Sequence, residues 1–344
     1  MSEQHKGVHW LVGFAAFIII IAGLKAASQI VVPLMLSIFI AIICAPAMST
    51  LRRRKVPTWL SIILVVLLIL IGVGSLAVLV GASLDSFSSQ LPNYKLRFAE
   101  EMSNLIATLN GFGLQISYDQ VKGYVDPSAL MQMVANALRG IGSALTNLIL
   151  VVMIVIFILF EAVELPKKLS LALTDASQSM GHFNSFIKSV NRYLVIKTLV
   201  SILTGVLITV WLWILGVDFP ILWGVSAFLL NFVPNIGSII AAVPAVLLAF
   251  VQLGSLSAGL TAAGFVFVNL VVGNVIEPRY MGRGLGLSTL VVFLSLLLWG
   301  WVFGPVGMLL SIPLTIIVKL ALEANPKTQW LAIMIDSETD VSKR

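Results

Sequence analysis

A chain of 344 residues that is 59% hydrophobic and only 10% charged, with a mean hydropathy of +1.05, is not an ordinary soluble domain; such domains carry about 25% charged residues. The net charge of +6 does not point to nucleic acid, because the basic residues gather at the ends of apolar runs, as they do in cytoplasmic loops of membrane proteins. A single cysteine, Cys44, excludes a disulfide within the chain and a cysteine metal cluster, and neither a metal nor a cofactor is expected.

The runs long enough to matter are 10–24, 30–48, 58–83, 143–163, 193–215, 220–251, 255–276 and 285–322. An apolar helix crosses a bilayer in about 20 residues, so the pattern predicts an all-α polytopic membrane protein with roughly seven to eight membrane segments. The first run, followed by Lys25-Ala26-Ala27-Ser28, has the outline of a cleavable signal. Apolar residues resume at Ile30, so the first two runs read instead as a retained helical hairpin.

Lysine and arginine set the orientation. Arg52-Arg53-Arg54-Lys55 places the end of the second span in the cytoplasm. Lys167, Lys168, Lys188 and Arg192 then fall inside, as do Lys327, Lys343 and Arg344 of the tail. Residues 84–142 fall outside and are mildly acidic, with Asp85, Glu100, Glu101, Asp119 and Asp126 against Lys95, Arg97, Lys122 and Arg139. Leu91, Phe98, Met102, Leu105, Ile106 and Leu109 recur there at near-helical spacing. Ser117-Tyr118-Asp119-Gln120 resembles a capping box, and Asp126-Pro127 a helix start. This stretch is expected to be helical and to lie on the membrane surface; packing against neighbouring subunits is the alternative.

Two runs are too long for one straight crossing. A helix of about 32 residues reaches about 48 Å, against a hydrocarbon core of about 30 Å. Both contain breakers: Pro234, Gly237 and Pro244 in 220–251, and Gly304, Pro305 and Pro313 in 285–322. Each is expected to be a helical hairpin or a discontinuous helix. A single crossing of 220–251 puts Arg279 and Arg283 outside; a hairpin puts them inside, where the charge bias prefers them.

Catalytic patterns are missing from the sequence. No His-Glu-x-x-His and no Gly-x-x-x-x-Gly-Lys-Ser/Thr occurs. Gly224-Val225-Ser226-Ala227 lacks the final glycine of a nucleophile turn, and no histidine follows it. The chain reads as a non-enzyme.

Passage or anchoring remains. In NFVPNIGSII, residues 231–240, a polar and helix-breaking cluster interrupts an apolar run. Broken backbone at membrane depth is tolerated where protein or a water-filled cavity surrounds it, and transporters place such breaks at the substrate. Asn231, Pro234, Asn235, Gly237 and Ser238 are therefore candidate path residues, joined by Asn269 and Asn274; a packed kink is the other reading. In GNVIEPRYMGRGLGLS, residues 273–288, Glu277 ends an apolar run and is followed by Pro278 and Arg279. A carboxylate there either couples an ion or proton or pairs locally with Arg279 or Arg283. In WGWVFGPVG, residues 299–307, Gly300 and Gly304 allow close helix approach.

These three motifs, in this order, resemble the autoinducer-2 exporter family of bacterial membrane proteins, and the likeness covers essentially the whole chain. The family's Pro-x-x-Gly element falls on Pro234 and Gly237, its next proline on Pro244, and its Glu-Pro pair on Glu277 and Pro278. Its Gly-x-x-Gly element falls on Gly304 and Gly307, and its later proline on Pro313. In one departure, Ser288-Thr289 stands where many relatives carry a proline.

The resemblance implies a multi-pass transporter of the bacterial inner membrane, carrying a quorum-sensing signal or a similar small, polar, uncharged solute. It also implies a homo-oligomer, a pentamer by family likeness. Some relatives are described as sodium/proton antiporters. Here an antiporter would centre on Glu277, with Arg279 beside it, whereas a neutral solute needs donors and acceptors without fixed charge. A membrane scaffold that transports nothing is a third reading. The expected layout is N-terminal spans at 1–83, an outer helical region at 84–142, a span with a cytoplasmic loop at 143–192, the transport path at 193–322 and a cytoplasmic tail at 323–344.

Overall fold

The computed structural model describes residues 2–111, 148–172, 176–233, 237–281, 287–323 and 328–336, and among them there are helices and turns but no strand. That follows from composition, since in lipid a helix satisfies its own backbone. The helices are α1 (Ser2–Ala26), α2 (Ser28–Arg53), α3 (Thr58–Gly111), α4 (Leu148–Ala172), α5 (Ala176–Leu215) and α6 (Pro220–Leu230). They continue with α7 (Gly237–Leu253), α8 (Ser255–Val271), a π-turn (Val272–Ile276), α9 (Glu277–Met281), α10 (Thr289–Leu309), α11 (Ser311–Glu323) and α12 (Gln329–Ile335). Ser28–Arg53, Thr58–Thr108, Val190–Leu215, Ser255–Tyr280 and Thr289–Leu309 are long and apolar enough to cross a membrane; Ala15–Ala26, Pro220–Leu230 and Gly237–Leu253 are apolar but shorter. The chain is a multi-pass membrane protein.

It divides into two compact units, the first made of Met1–Ala45, Leu150–Asn191 and Arg283–Arg344, the second of Pro46–Ile149 and Arg192–Gly282. In the first unit, buried Ser37 of α2 places its hydroxyl 3.1 Å from the Val151 carbonyl of α4. The Asn191 amide donates to the Ile42 carbonyl. The run 285–322 is a helical hairpin. Gly304 takes φ 67° and ψ −149°, a conformation open to glycine, and reverses the chain. The return arm packs so closely that a Cβ on Gly307 would overlap the Trp299 carbonyl. The Trp299 indole donates to Thr315 at 3.1 Å. Pro313 is third in α11, where its missing N–H costs nothing. Ser288 caps α10, accepting from the Val291 N–H at 3.3 Å.

In the second unit, α3 is 54 residues long, which at 1.5 Å per residue is about 81 Å, far more than a hydrocarbon core. The change in polarity between 83 and 84 therefore marks no helix end. Residues 84–111 do not lie apart on a membrane surface either. They continue α3, and Phe87, Tyr94 and Phe98 join the core formed by Leu212, Trp223, Leu248 and Val251. The capping box at 117–120 and the Asp126-Pro127 start lie outside the described residues.

The run 220–251 is also a hairpin. The backbone N–H of Asp218, just before α6, donates to Gln252 Oε1 at 2.8 Å, and Gln252 Nε2 donates to the Gly216 carbonyl at 3.3 Å. The start of α6 and the end of α7 thus meet. Tyr94 Oη donates to Asp218 Oδ2 at 2.8 Å, and the Trp223 indole to the Asp218 carbonyl at 3.0 Å. With 11 residues α6 spans about 16 Å, so neither arm needs to traverse the bilayer. α7 runs unbroken through Pro244.

Candidate functional site

One stripe of α5 organises the polar residues of the second unit. Tyr193, Lys197, Ser201, Thr204, Ile208 and Leu212 recur every three or four positions and are buried. The outer half of the stripe is apolar core; the other half is polar. Two elements meet that polar half one helical turn apart. Asn231, at the C-terminal end of α6, donates through Nδ2 to Ser201 Oγ at 3.0 Å. Glu277, directly after the π-turn, receives the Lys197 ammonium at 2.7 Å, with only 6% of the lysine and 19% of the glutamate side chain exposed.

Depth follows from spacing. Ser201 lies 14 residues, about 21 Å, from the end of α5 at Leu215, where the α6–α7 hairpin begins. The hairpin tip therefore reaches well into the length of a crossing helix. It is tight: a Cβ on Gly237 would overlap the Leu230 carbonyl oxygen, so only glycine fits.

The π-turn aims Glu277. Along α8 the buried positions are Ala258, Thr261, Phe265, Val268 and Val272, an α-helical period. Val275 is exposed, and the inward position comes later, at half-buried Ile276 and Glu277. An inserted residue of this kind is how π-turns re-aim side chains, and they are frequent at functional sites. Pro278 lacks a donor and sits where the hydrogen-bond ladder is already displaced.

The other expected path residues separate into groups. Ser238 and Asn269 line one groove of about 410 Å³ between α7 and α8, whose other walls are apolar, among them Ile239, Val243 and Val266. Asn274 and Arg279 are exposed and join neither the groove nor the stripe. Pro234 and Asn235 lie outside the described residues, as does Arg283. Glu277 pairs with neither nearby arginine that the sequence suggested; its partner is Lys197, eighty residues away. Lys197 was not singled out from sequence, although a lone lysine one turn inside the apolar run 193–215 is itself a signal. Among the described residues, no group of histidine, cysteine or carboxylate side chains could hold a metal.

A buried seam of amide, hydroxyl and a self-neutralised ion pair, inside apolar helices, suits passage of a solute. The family model described as AI-2E family transporter matches residues 14–327. The chain belongs to the AI-2E transporter family. As an AI-2E member it is 40% identical over 330 residues to the AI-2 transport protein TqsA of Escherichia coli (strain K12), covering 96% of each chain. It is 41% identical over 336 residues to a Haemophilus influenzae (strain Rd) protein, covering 96% of this chain and 97% of that one. It is 38% identical over 334 residues to YhhT of Escherichia coli (strain K12), covering 97% and 96%. The three signature motifs thus lie in an AI-2E transporter, and two of them supply the seam: Asn231 from the first, Glu277 from the second.

Proposed function

We propose that this transporter moves autoinducer-2, or a small neutral polar solute of its kind, out of the cell across the bacterial inner membrane. The observation that carries the reading is the contact between the hairpin end and α5, Asn231 to Ser201, inside a segment that stops short of crossing. The solute's hydroxyls exchange with these groups as it passes the tip. Pro234, Asn235, Gly237 and Ser238 form that tip, and Ser238 and Asn269 line the groove beside it. The kinship with TqsA, which is named for AI-2 transport, supports the substrate. The charges on the seam already cancel, which favours a neutral cargo over an antiported cation.

The path on this reading is residues 193–322. Residues 84–142 stand on the periplasmic side, and the tail at 323–344 is cytoplasmic, as the positive-inside bias directs. The working unit is a homo-oligomer, a pentamer by family likeness, and the protein performs no covalent chemistry.

The test is flux of labelled autoinducer-2 through purified protein in liposomes. Asn231→Ala or Ser201→Ala lowers flux about tenfold, the worth of one polar contact of roughly 1.4 kcal/mol. Flux equal to wild type in both folded variants removes the seam from the path, and no flux in wild type removes the substrate.

A further inference from the structure

A carboxylate inside an apolar segment is tolerated in one of three ways: it takes a proton, it binds an inorganic cation, or a basic side chain is brought to it. The first two make a protein's working cycle depend on ion gradients. The third does not. Glu277 is served in the third way, and closely. Lys197 Nζ lies 2.7 Å from Glu277 Oε1 with 6% of the lysine side chain exposed.

The charge inventory around the pair is short. α5 contributes Lys197 and, one turn earlier, buried Tyr193, whose phenol lies within electrostatic reach of Glu277. α9 contributes Arg279 and Tyr280, both exposed. The α6–α7 hairpin brings no charge to the seam; Asp218, at its entry, is held by Tyr94. From residue 198 to 276 Asp218 is the sole formal charge. One buried cation therefore faces one buried anion. The π-turn exists immediately before Glu277, so the backbone departs from α-helix at the place needed to make this pair.

We propose that the Lys197 ammonium is a tethered cation: it stands where a coupling ion would otherwise bind Glu277, and so uncouples transport by this protein from sodium and proton gradients. This deepens the transport reading and rests on it only for flux. A flexible four-carbon stem with a compact charge suits the task, because the ammonium can follow the carboxylate through small movements of α5 and α9 without leaving it bare.

The deciding experiment measures melting temperature of the detergent-purified full-length chain in sodium chloride and in choline chloride at equal ionic strength, for wild type, K197A, K197R, E277Q and K197A/E277Q. This readout needs no solute, so it stands even if autoinducer-2 proves not to be the cargo. The expected result is no sodium effect in wild type, K197R or the double variant, and a melting temperature several degrees higher in sodium for K197A, as mass action requires of a newly created ion site. Acid should replace sodium for K197A by protonating Glu277. K197A that folds in sodium but not in choline gives the same answer. The proposal is overturned if wild type is stabilised by sodium and E277Q is not, because Glu277 is then itself the ion site. It is also overturned if folded K197A ignores both sodium and acid, or if K197A fails in both salts while the double variant folds, because the ammonium then serves packing alone. In liposomes, sodium should raise K197A flux about tenfold and leave wild type unchanged, the range expected for a coupling of about 1.4 kcal/mol.

Discussion

Lys197 and Glu277 are eighty residues apart in sequence and 2.7 Å apart in space, each on a helix that is otherwise apolar. Removing one partner strands a buried charge, whereas removing both leaves a neutral seam. Glu277→Gln or Lys197→Ala alone is expected to cost about 3–5 kcal/mol, and the pair together less than either. A double-mutant cycle in denaturant-containing micelles checks this; additive costs would mean that the two side chains do not interact.

Gly237 closes the hairpin against the Leu230 carbonyl. Gly237→Ala is expected to lose more than about 3 kcal/mol, since backbone, not a movable side chain, blocks the added methyl. Gly259 of α8 has nothing within 4 Å of its missing Cβ. Gly259→Ala should therefore be neutral or stabilising by up to about 1 kcal/mol, the ordinary helix-propensity gain. Thermal unfolding followed by tryptophan fluorescence compares the two.

Gln252 serves two backbone groups, the Asp218 N–H and the Gly216 carbonyl, while Tyr94 serves one carboxylate oxygen. Gln252→Leu orphans both backbone groups and is expected to cost about 2–3 kcal/mol; Tyr94→Phe loses a single hydrogen bond, about 1 kcal/mol. The order of the two melting temperatures is the test, and the reverse order would show that the carboxylate dominates the junction.

Ser288 occupies the cap of α10, so Ser288→Ala should cost about 1 kcal/mol. Thr289 is the first helical residue, where proline is at home, so Thr289→Pro should fold with stability close to wild type. This accounts physically for a proline at this point in relatives: both solutions start the same helix. Far-ultraviolet dichroism with thermal melts checks the pair.

Much of the fold was legible because the signals were local. Pro234 and Gly237 within an apolar run too long to cross announce a return, and the run 220–251 does return. Gly304 does the same for 285–322. Pro244 did not act as a breaker, because one missing N–H inside a well-packed helix is affordable. The end of α3 was misjudged at 83, because polarity reports where a helix leaves lipid and not where its hydrogen bonds stop. In the site, Glu277 was legible as an odd charge, but its partner was not. Pairing across eighty residues depends on how α8 is rotated, and the π-turn alters that rotation without a composition signal. Asn274 looked equivalent to Asn231, yet the first is exposed and the second is bonded to Ser201.

The knot of Gly216, Asp218 and Gln252 has a consequence for how this chain can change. A loop of chain that departs from and returns to one point adds an even number to the count of passes, whatever its length. It can be lengthened, trimmed or exchanged as a cassette without inverting the sidedness of α8, of the tail or of anything downstream. Parity is thus insulated from the part of the molecule that touches the cargo, and alterations there carry no topological penalty.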